Sequence, residues 1–484
     1  MAAERSGRAP AELLKKSALS VGPVSPRVCV IGAGCCGLTS IKALKEAGLD
    51  PVCFEMGSHV GGLWVLGNSN GRGGAYRSLH INSSKKRSEF SDFPMPDSWG
   101  HYPHHEQIAE YFNDYAQHFD LGSSIRFRHE VELCRPRSEG GYEVIVVNHA
   151  SGSKETQLFD AVVVANGHHF APQPLPHHLA ENFGGTAFHS HHYLSPSEPH
   201  DLRDRSVVVV GIGNSAMDIA CELSRLGGAR SVTLSTRRGA WVLPKFLQGK
   251  PIDQGSFLPQ FLPDRLKRQI GTWLFRQLHG SMKSYGLPEP DHLIGEAHPT
   301  MSTELPSLVA SGDIQVRPSI ASCQGKRVVF ADGRQQQADA IIFCTGYRIE
   351  FPFFSPEHIA APENELPLFL RAFHPQHHSV FFVGLLQTVG AVMPSAEAQA
   401  RLIAAHIAGN YHLPASADMR ARMQSQHRAM KNRFVSSARH TMQVVPEDFL
   451  SELKREEKAG RWRAKKGRGV AFRKEPPRAP GEPS

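Results

Sequence analysis

Two glycine-rich turns, far apart in the chain, constrain the fold more than any other feature of the sequence. The first lies in "VCVIGAGCCGLTSI" (residues 28–41), and the second lies in "VVVVGIGNSAMDIA" (residues 207–220). In each, a short apolar run enters a G-x-G-x-x-G/A turn and a helical pattern follows it. This strand–turn–helix pattern is the dinucleotide-binding fingerprint of a parallel α/β sheet. Since one such turn binds one dinucleotide, the sequence predicts two Rossmann-like domains.

The first unit ends in an acidic residue. Its second strand, "PVCFE", ends at Glu55, where a carboxylate can accept hydrogen bonds from ribose hydroxyls and would repel a 2′-phosphate. Gly32 and Gly34 let the backbone approach a pyrophosphate, and Gly37 lets the helix pack closely on the strand. The first unit is therefore predicted to bind a dinucleotide with a free ribose 2′-hydroxyl.

The second unit ends in basic residues. Its second strand, "SVTLSTRR", ends at Arg237 and Arg238, and Ala216 replaces the third glycine, which the fingerprint allows. An arginine can hold a 2′-phosphate through two parallel hydrogen bonds, so this unit is predicted to bind NADP. The alternative is that both arginines lie at an exposed strand end without a ligand. We therefore expect FAD in the first site and NADPH in the second. Two such cofactors in one chain imply hydride transfer from the nicotinamide to the flavin.

The arrangement of the domains is predicted from two further apolar strands. They lie in "FDAVVVANGHH" (159–169) and "ADAIIFCTGY" (338–347), on either side of the second unit, and we expect both in the first domain. The predicted fold class is therefore α/β, with an NADP domain inserted into a discontinuous FAD domain. The predicted boundaries are a disordered leader at 1–26, the FAD domain at 27–198 and 330–445, the NADP domain at 199–329, and a basic C-terminal tail at 446–484.

Charge and cysteine content limit the partners and the compartment. The chain has 484 residues and a net charge of +8. Ten Lys/Arg against three Glu fall within residues 451–474, so this tail supplies most of the positive charge and the rest of the chain is close to neutral. No nucleic-acid partner is therefore expected. The eight cysteines form no C-x-x-C, and no signal peptide or membrane-spanning apolar run is visible, which favours a soluble, cytoplasmic protein. An amphipathic pattern at 264–278 is expected to pack over a substrate entrance or on the NADP domain. Contact with a membrane surface is its alternative and is not expected.

A third motif indicates the chemistry. Phe183, Gly185, His189 and Tyr193 stand at fixed spacing in "FGGTAFHSHHYL" (183–194), just before the second unit. Further segments accompany it in order: "FEMGSHVGGLW" (54–64), "YRSLHINSSKKRSEFSDFPMP" (76–96), "STRRGAW" (235–241), "FCTGY" (343–347) and "GLLQTVGAVMPSAEAQAR" (384–401). This set resembles the flavin-containing monooxygenases. Tyr193, where Baeyer–Villiger relatives carry tryptophan, resembles the heteroatom-oxidising branch.

The resemblance implies an FAD- and NADPH-dependent monooxygenase. In that family NADPH reduces FAD, oxygen adds to give a C4a-hydroperoxyflavin, and a soft nucleophile, an amine nitrogen or a sulfide sulfur, takes one oxygen atom. The implied partners are a small nucleophilic substrate and O2, and a homodimer is left open. The alternatives are a Baeyer–Villiger-type oxygenase, an NADPH oxidase releasing hydrogen peroxide and, from another class, a flavin-bearing redox sensor or binding protein.

The resemblance also assigns roles to residues. Asn82 is the candidate catalytic residue, and His189 belongs to a structural hinge between the two domains. The predicted FAD-binding residues are Gly32, Ala33, Gly34, Cys35, Cys36, Gly37, Glu55, Gly62, Leu63, Trp64, Asn82, Gln387 and Thr388. The predicted NADP-binding residues are Gly211, Gly213, Asn214, Ser215, Asp218, Thr236 and Arg237. No metal site is predicted, because the adjacent histidine pairs lack the spacing of metal ligands. Ordinary structural roles stay open for Asn82 as a loop cap, for Leu63 and Trp64 as core, and for Ser215 and Asp218 at a helix start.

Overall fold

The computed structural model describes residues 25–255, 262–388, 390–435 and 441–473 of the chain. Of the leader predicted at 1–26, only the last two residues fall within this part. The described residues form two five-stranded parallel sheets, each of which carries one glycine turn and is flanked by helices. The chain is therefore an α/β protein with two Rossmann-type domains, as predicted.

The first sheet holds the first glycine turn (residues 32–37). Its central strand, Val28–Ile31, is buried along its whole length, which is typical of parallel strands covered on both faces. In spatial order the strands are Val380–Phe382, Ala161–Val164, Val28–Ile31, Pro51–Glu55 and Ile125–Phe127. Because Val380–Phe382 comes from the distant C-terminal part of the chain, the first domain is discontinuous.

The second sheet holds the second glycine turn (residues 211–216). In spatial order its strands are Ile314–Arg317, Ser231–Ser235, Ser206–Val210, Ala340–Phe343 and Thr186–His189. All neighbouring pairs are parallel. The residues of this sheet lie between the segments that build the first sheet, so the second domain is the inserted one.

Two strands of the second sheet correct the predicted boundaries. Ala340–Phe343 pairs with the strand that enters the second glycine turn, and Thr186–His189 pairs with Ala340–Phe343 in turn. The predicted limits of the NADP domain, 199 and 329, therefore cut through this sheet, and the expectation that "ADAIIFCTGY" lies in the first domain is wrong. The physical reason is that a short run of fully buried apolar residues has the same pattern in either parallel sheet.

The remaining elements cover the sheets. Longer helices span Cys35–Glu46, His105–His118, Asn214–Leu223, Asp264–His279, Met393–Ile407, Ser416–Arg433 and Pro446–Lys465, and shorter helical turns include Gly62–Trp64, Lys85–Ser88, His177–Ala180, Ser190–His192, Ile252–Gln254 and Leu305–Ala310. Two antiparallel three-stranded sheets consist of His129–Pro136, Tyr142–Asn148 and Lys154–Phe159, and of Ile320–Gln324, Arg327–Phe330 and Gln335–Gln337. Two-residue strands pair Ala171–Pro172 with Tyr347–Arg348, Val242–Leu243 with Thr300–Met301, Phe246–Leu247 with Lys250–Pro251, and Gln387–Thr388 with Gln443–Val444.

The predicted basic tail at 446–484 is corrected over its described part. Residues 446–465 form a helix against helix Met393–Ile407, with Phe449 and Leu453 buried. Glu456 is also buried, forms ion pairs with Arg422 and Arg463, and accepts a hydrogen bond from a tyrosine hydroxyl. The sequence contains this helical apolar spacing, but the excess of basic residues obscures it.

Helix Asp264–His279 forms over the amphipathic pattern, but the expected packing of its apolar face is wrong for most of that face. Phe275 is buried on its inner face, whereas Leu266, Trp273 and Leu278 are exposed. No helix in the described ranges is both long and apolar enough to span a membrane.

Candidate active site

The first glycine turn is closely packed. Gly32 has a φ of +97°, and a β-carbon there would lie 2.8 Å from the carbonyl oxygen of Ala165. A β-carbon at Gly37 would overlap the carbonyl oxygen of Gly32, so only glycine fits at this third position. Gly34 is the N-cap of helix Cys35–Glu46 and makes no side-chain capping bond, which leaves the first amide groups of the helix free of a side-chain acceptor. This is the arrangement that a helix N-terminus offers to a pyrophosphate.

Glu55 holds the first turn closed. Its Oε2 accepts a hydrogen bond from the amide of Ala33 at 2.7 Å, and its Oε1 accepts one from the amide of Gly57 at 2.7 Å. Burial raises the pKa of Glu55, while the hydrogen bonds from these two backbone amides oppose the rise. Each carboxylate oxygen has a second lone pair, so the group can still accept from ribose hydroxyls.

Other predicted FAD residues gather around the same turn. The amide of Gly61 donates to the carbonyl of Ala33 at 3.1 Å, which sets the turn Gly62–Trp64 against the backbone of Gly34. Trp64 is half-buried and Leu63 is exposed. The sequence therefore identified a group of residues that the fold brings together.

The segment of residues 384–401 reaches the first turn through Gly384, a residue that the sequence analysis missed. Gly384 has a φ of +75°, and a β-carbon there would overlap the sulfur of Cys36. Strand Gln387–Thr388 begins three residues later. The hydroxyl of Thr388 donates to the carbonyl of Gly390 at 2.6 Å, and Gln387 is half-buried. The positive φ of a glycine cannot be read from the sequence without knowledge of its neighbours.

The second glycine turn has the same backbone plan. Gly211 has a φ of +133°, and Gly213 is the N-cap of helix Asn214–Leu223 without a side-chain capping bond. Ser215 is exposed at the start of this helix. The side chain of Asn214 instead holds a neighbouring segment, because its Oδ1 accepts from the amide of Met301 at 2.8 Å.

The predicted phosphate clamp lies in solvent. Arg237 and Arg238 are exposed, and within the described residues neither forms an ion pair with a carboxylate. Thr236 is buried, and its hydroxyl donates to the carbonyl of Arg238 at 2.8 Å, which fixes the strand end. The guanidinium groups are therefore free to meet a phosphate.

Asp218 contacts a residue of the first domain. The hydroxyl of Tyr76 donates to Asp218 Oδ2 at 2.5 Å, and Tyr76 is 5% exposed. Burial raises the pKa of Asp218, and burial together with the neighbouring Asp218 carboxylate raises the pKa of Tyr76 well above its usual range. One turn further along the same helix, Glu222 accepts from the hydroxyl of Tyr193 at 2.9 Å.

Asn82 lies in a stretch of chain that contacts both domains, between Ile81 in the first core and Ser84, which bonds Asp253. It is half-buried, and its amide oxygen is buried with no hydrogen-bond partner among the described residues. A buried polar atom of this kind calls for a ligand or water partner. The structural alternative, a loop cap, would have given this oxygen a backbone donor.

The histidine-rich motif is part of the second sheet. His189 ends the edge strand Thr186–His189, and its Nδ1 accepts from the amide of His191 at 3.0 Å. Burial lowers the pKa of His189 to about 4, so the ring is neutral at pH 7. This is a structural environment within the second domain, and the hinge role stays a prediction.

One group of side chains in the described ranges brings three metal-ligand atoms together. His104, His105 and Glu106 are consecutive at the start of helix His105–His118. His104 Nε2 bonds the carbonyl of Arg77 at 2.7 Å, and its other ring nitrogen caps the helix. The absence of a metal site stays a prediction.

The residues present fit both cofactors. Each glycine turn ends at a helix start without a side-chain cap, the first beside a carboxylate and the second beside a free arginine. The sequence missed Tyr76 as a partner of Asp218 and Glu222 as a partner of Tyr193, because contacts between residues so distant in the chain leave no local signal. Tyr76 lies in the segment of residues 76–96, in which the family resemblance assigned a role to Asn82.

Comparisons with known proteins agree with this geometry. The family model described as flavin-binding monooxygenase-like matches residues 25–459. Flavin-containing monooxygenase 5 of Homo sapiens is 36% identical over 444 residues, which is 88% of this chain and 82% of that protein. The N-oxide-forming dimethylaniline monooxygenase 2 of Oryctolagus cuniculus is 35% identical over 448 residues, covering 89% and 82%.

Solved structures share the fold. The S-allyl-L-cysteine S-oxygenase of Allium sativum superposes with a TM-score of 0.67 at 23% identity, covering 92% of this chain and 93% of that one. An open structure of cyclohexanone monooxygenase gives a TM-score of 0.67 at 18% identity, covering 92% and 98%. The extent of the sequence matches and the two dinucleotide turns lead to one conclusion: the chain belongs to the flavin-binding monooxygenase-like family and is an FAD- and NADPH-dependent monooxygenase.

Proposed function

We propose that this enzyme transfers one oxygen atom to the nitrogen of an amine or the sulfur of a thioether. The observation that carries the proposal is the placement of Asn82. The segment that contains it starts at Tyr76, bonded to the helix of the second glycine turn, and ends at Asp92, which pairs with Lys42 at 2.7 Å on the helix of the first. A buried amide oxygen without a partner among the described residues therefore lies on the stretch of chain that contacts both glycine-turn helices.

The chain's own residues supply binding and orientation. When bound, FAD supplies the hydride acceptor and the oxygen-activating centre. The helix starts at Gly34 and Gly213 would hold the pyrophosphates, Glu55 would accept a hydrogen bond from a ribose hydroxyl, and Arg237 would hold the 2′-phosphate. Asn82 offers a neutral amide, which donates or accepts a hydrogen bond and does not titrate near pH 7. Oxygen transfer to a soft nucleophile requires such fixed, non-acidic groups and exclusion of water.

The choice of substrate is supported by two observations. Tyr193 stands where Baeyer–Villiger relatives carry tryptophan, and its hydroxyl is committed to Glu222. Among the sequence matches, a relative at 35% identity carries a name that specifies N-oxide formation. We assign the same class of acceptor to this chain.

The test is product analysis with labelled oxygen. The enzyme is incubated with NADPH and ¹⁸O₂ together with methyl phenyl sulfide, N,N-dimethylaniline or cyclohexanone, and the products are analysed by mass spectrometry. We expect a sulfoxide or N-oxide carrying one ¹⁸O, with one NADPH consumed per product. If a labelled lactone from cyclohexanone were the only oxygenated product, the protein would be a Baeyer–Villiger enzyme. Hydrogen peroxide without any product would make it an oxidase, and negligible NADPH consumption would favour a redox sensor.

The variant Asn82→Ala sharpens the test. It should raise the share of NADPH that ends as hydrogen peroxide by about tenfold, the scale of one lost hydrogen bond near a charged group. FAD content and the KM for NADPH should stay within about twofold of wild type, since neither turn is altered. An unchanged peroxide share would remove Asn82 from the reacting site.

A further inference from the structure

The segment of residues 76–89, here called the Asn82 segment, contacts both domains: Ile81 packs in the core of the first domain and Tyr76 in the core of the second. Along the chain it follows strand Pro51–Glu55 of the first sheet, yet the ring of Tyr76 is buried in the hydrophobic core of the second domain. That core also contains Met217 and Tyr193, and the two tyrosine rings meet edge to face with centroids 6.1 Å apart. Tyr76 therefore cannot move without disturbing the second domain.

The hydroxyl of Tyr76 joins this segment to the NADP helix. Its acceptor, Asp218, lies five residues beyond the N-cap Gly213, or about 7 Å along helix Asn214–Leu223. The start of that helix is where the pyrophosphate of NADP binds in a turn of this kind. A shift or tightening of the helix on binding is thus delivered directly to Tyr76.

The backbone between Tyr76 and Asn82 is tied to the start of helix His105–His118 in the first domain, so Asn82 is held from both domains. The carbonyl of Tyr76 accepts from the amide of Leu79 at 2.9 Å, and the carbonyl of Leu79 accepts from the amide of His105 at 2.9 Å. The amide of Ile81 donates to Pro103 at 3.0 Å. Asn82 follows immediately, with its unpartnered oxygen.

A second anchor lies on the other side of Asn82. The amide of Ser84 donates to Asp253 Oδ2 at 2.6 Å, and the hydroxyl of Ser84 accepts from Gln254 at 2.9 Å. Arg87 also donates to the carbonyl of Asp253 at 2.9 Å. Both ends of the short stretch around Asn82 are therefore bonded to elements of the second domain.

We propose that the Tyr76–Asp218 hydrogen bond couples the binding of NADP to the placement of Asn82, with Tyr76 acting as a positioning residue. The inference rests on the proposed function only in that Asn82 serves the reacting site. The coupling itself is a property of the protein and NADP⁺ and can be measured without turnover.

The first measurement is hydrogen–deuterium exchange of the FAD-bound enzyme with and without NADP⁺. We expect NADP⁺ to slow exchange in the peptide spanning residues 76–89 by about tenfold or more in the wild type. In Tyr76→Phe, which keeps the ring and removes the hydroxyl, that NADP⁺-dependent slowing should be lost. If NADP⁺ leaves this peptide unchanged in the wild type, the proposal is wrong whatever the variants do.

Tyr193→Phe is the matched control. It removes a second buried tyrosine–carboxylate bond to the same helix, at Glu222, from a segment that does not contain Asn82. The backbone amide of Arg77 donates a hydrogen bond to the carbonyl of Leu194, which joins the two segments. A general loss of packing in this region would therefore affect both variants alike. We expect comparable losses of thermal stability but retained NADP⁺-dependent protection in Tyr193→Phe. Equal loss of protection in both variants would reduce Tyr76 to a packing residue.

Conservative replacement and turnover complete the test. Asp218→Asn keeps an oxygen acceptor for the Tyr76 hydroxyl and, at an NADP⁺ concentration that saturates the variant, should retain the protection. Tyr76→Phe should raise the peroxide share of NADPH consumption by about fivefold, with the KM for NADPH changed by less than about twofold. If oxygenation fails in the wild type while the protection pattern holds, the proposed function falls and the coupling stands. If oxygenation succeeds while Tyr76→Phe behaves like Tyr193→Phe, the coupling falls alone.

Discussion

In the first glycine turn, the charged residue that ends the second strand is buried and bonded, whereas its counterpart in the second turn is exposed. Glu55 is 4% exposed and accepts two backbone amides. Arg237 lies in solvent and forms no ion pair with a carboxylate in the described part of the chain. The first site is therefore built largely from the protein's own contacts, while the second leaves its selective charge for the ligand. This difference suits a resident flavin and an exchanging nicotinamide.

The turns also differ at their third position. A β-carbon at Gly37 would overlap a backbone carbonyl, which cannot give way as a flexible side chain can. The second turn accommodates the methyl group of Ala216, which is fully buried. Close packing is thus a requirement of the first turn and not of the second.

Gly37→Ala should have the largest effect of any single change in either turn. The added methyl must push helix Cys35–Glu46 away from strand Val28–Ile31, which displaces the amides that meet the flavin pyrophosphate. We expect at least a tenfold loss of bound FAD, measured as the ratio of flavin to protein absorbance after purification. Normal FAD content would show that the turn can relax, and the contrast with Ala216 would lose its meaning.

Glu55→Gln tests whether the buried carboxylate organises the first site. Glutamine has the same shape but only one acceptor oxygen, so either the Ala33 or the Gly57 amide loses its partner. We expect FAD to bind about 10- to 100-fold more weakly, the scale of one buried unsatisfied donor. Titration of the apoenzyme with FAD measures this. Glu46→Gln, an exposed carboxylate on the neighbouring helix, controls for loss of charge and should leave FAD affinity unchanged.

Arg237→Ala tests the exposed clamp of the second site. Removing a charge-assisted partner of the 2′-phosphate should raise the KM for NADPH by about 10- to 100-fold and leave that for NADH within about threefold. Steady-state kinetics with both cofactors give the two ratios. Arg238→Ala is the matched control, and a larger effect there would move the clamp by one residue. Equal changes for NADPH and NADH would mean that neither arginine reads the phosphate.

The parts of this comparison that the sequence predicted are local in the chain. Each glycine turn, its helix and its strand-ending charge fall within about thirty residues, so their relation is fixed by chain geometry. The third glycine and Glu55 could therefore be assigned before the fold was known. Asn82, by contrast, was assigned by resemblance, and nothing in its own sequence indicates a buried oxygen without a partner.

The parts that the sequence could not predict depend on long-range pairing. Strand Ala340–Phe343 has no feature that selects the second sheet over the first, since both offer buried parallel neighbours. Glu456 reads as one of many solvated charges, yet it is buried in the C-terminal helix and pairs with Arg422, 34 residues away on helix Ser416–Arg433. The Tyr76–Asp218 bond spans 142 residues. Such contacts follow from the fold and leave no periodic pattern.

Ala216→Gly should have the smallest effect and is the reciprocal of Gly37→Ala. Glycine at this helical position removes a buried methyl and adds backbone freedom in the unfolded chain, which together cost about 1–2 kcal/mol of unfolding free energy. The turn itself needs no methyl, so the KM for NADPH should stay within about twofold of wild type. Thermal denaturation and steady-state kinetics measure the two quantities. A gain in stability would show that the methyl is strained in the second turn as well, and the two turns would then obey one packing rule rather than two.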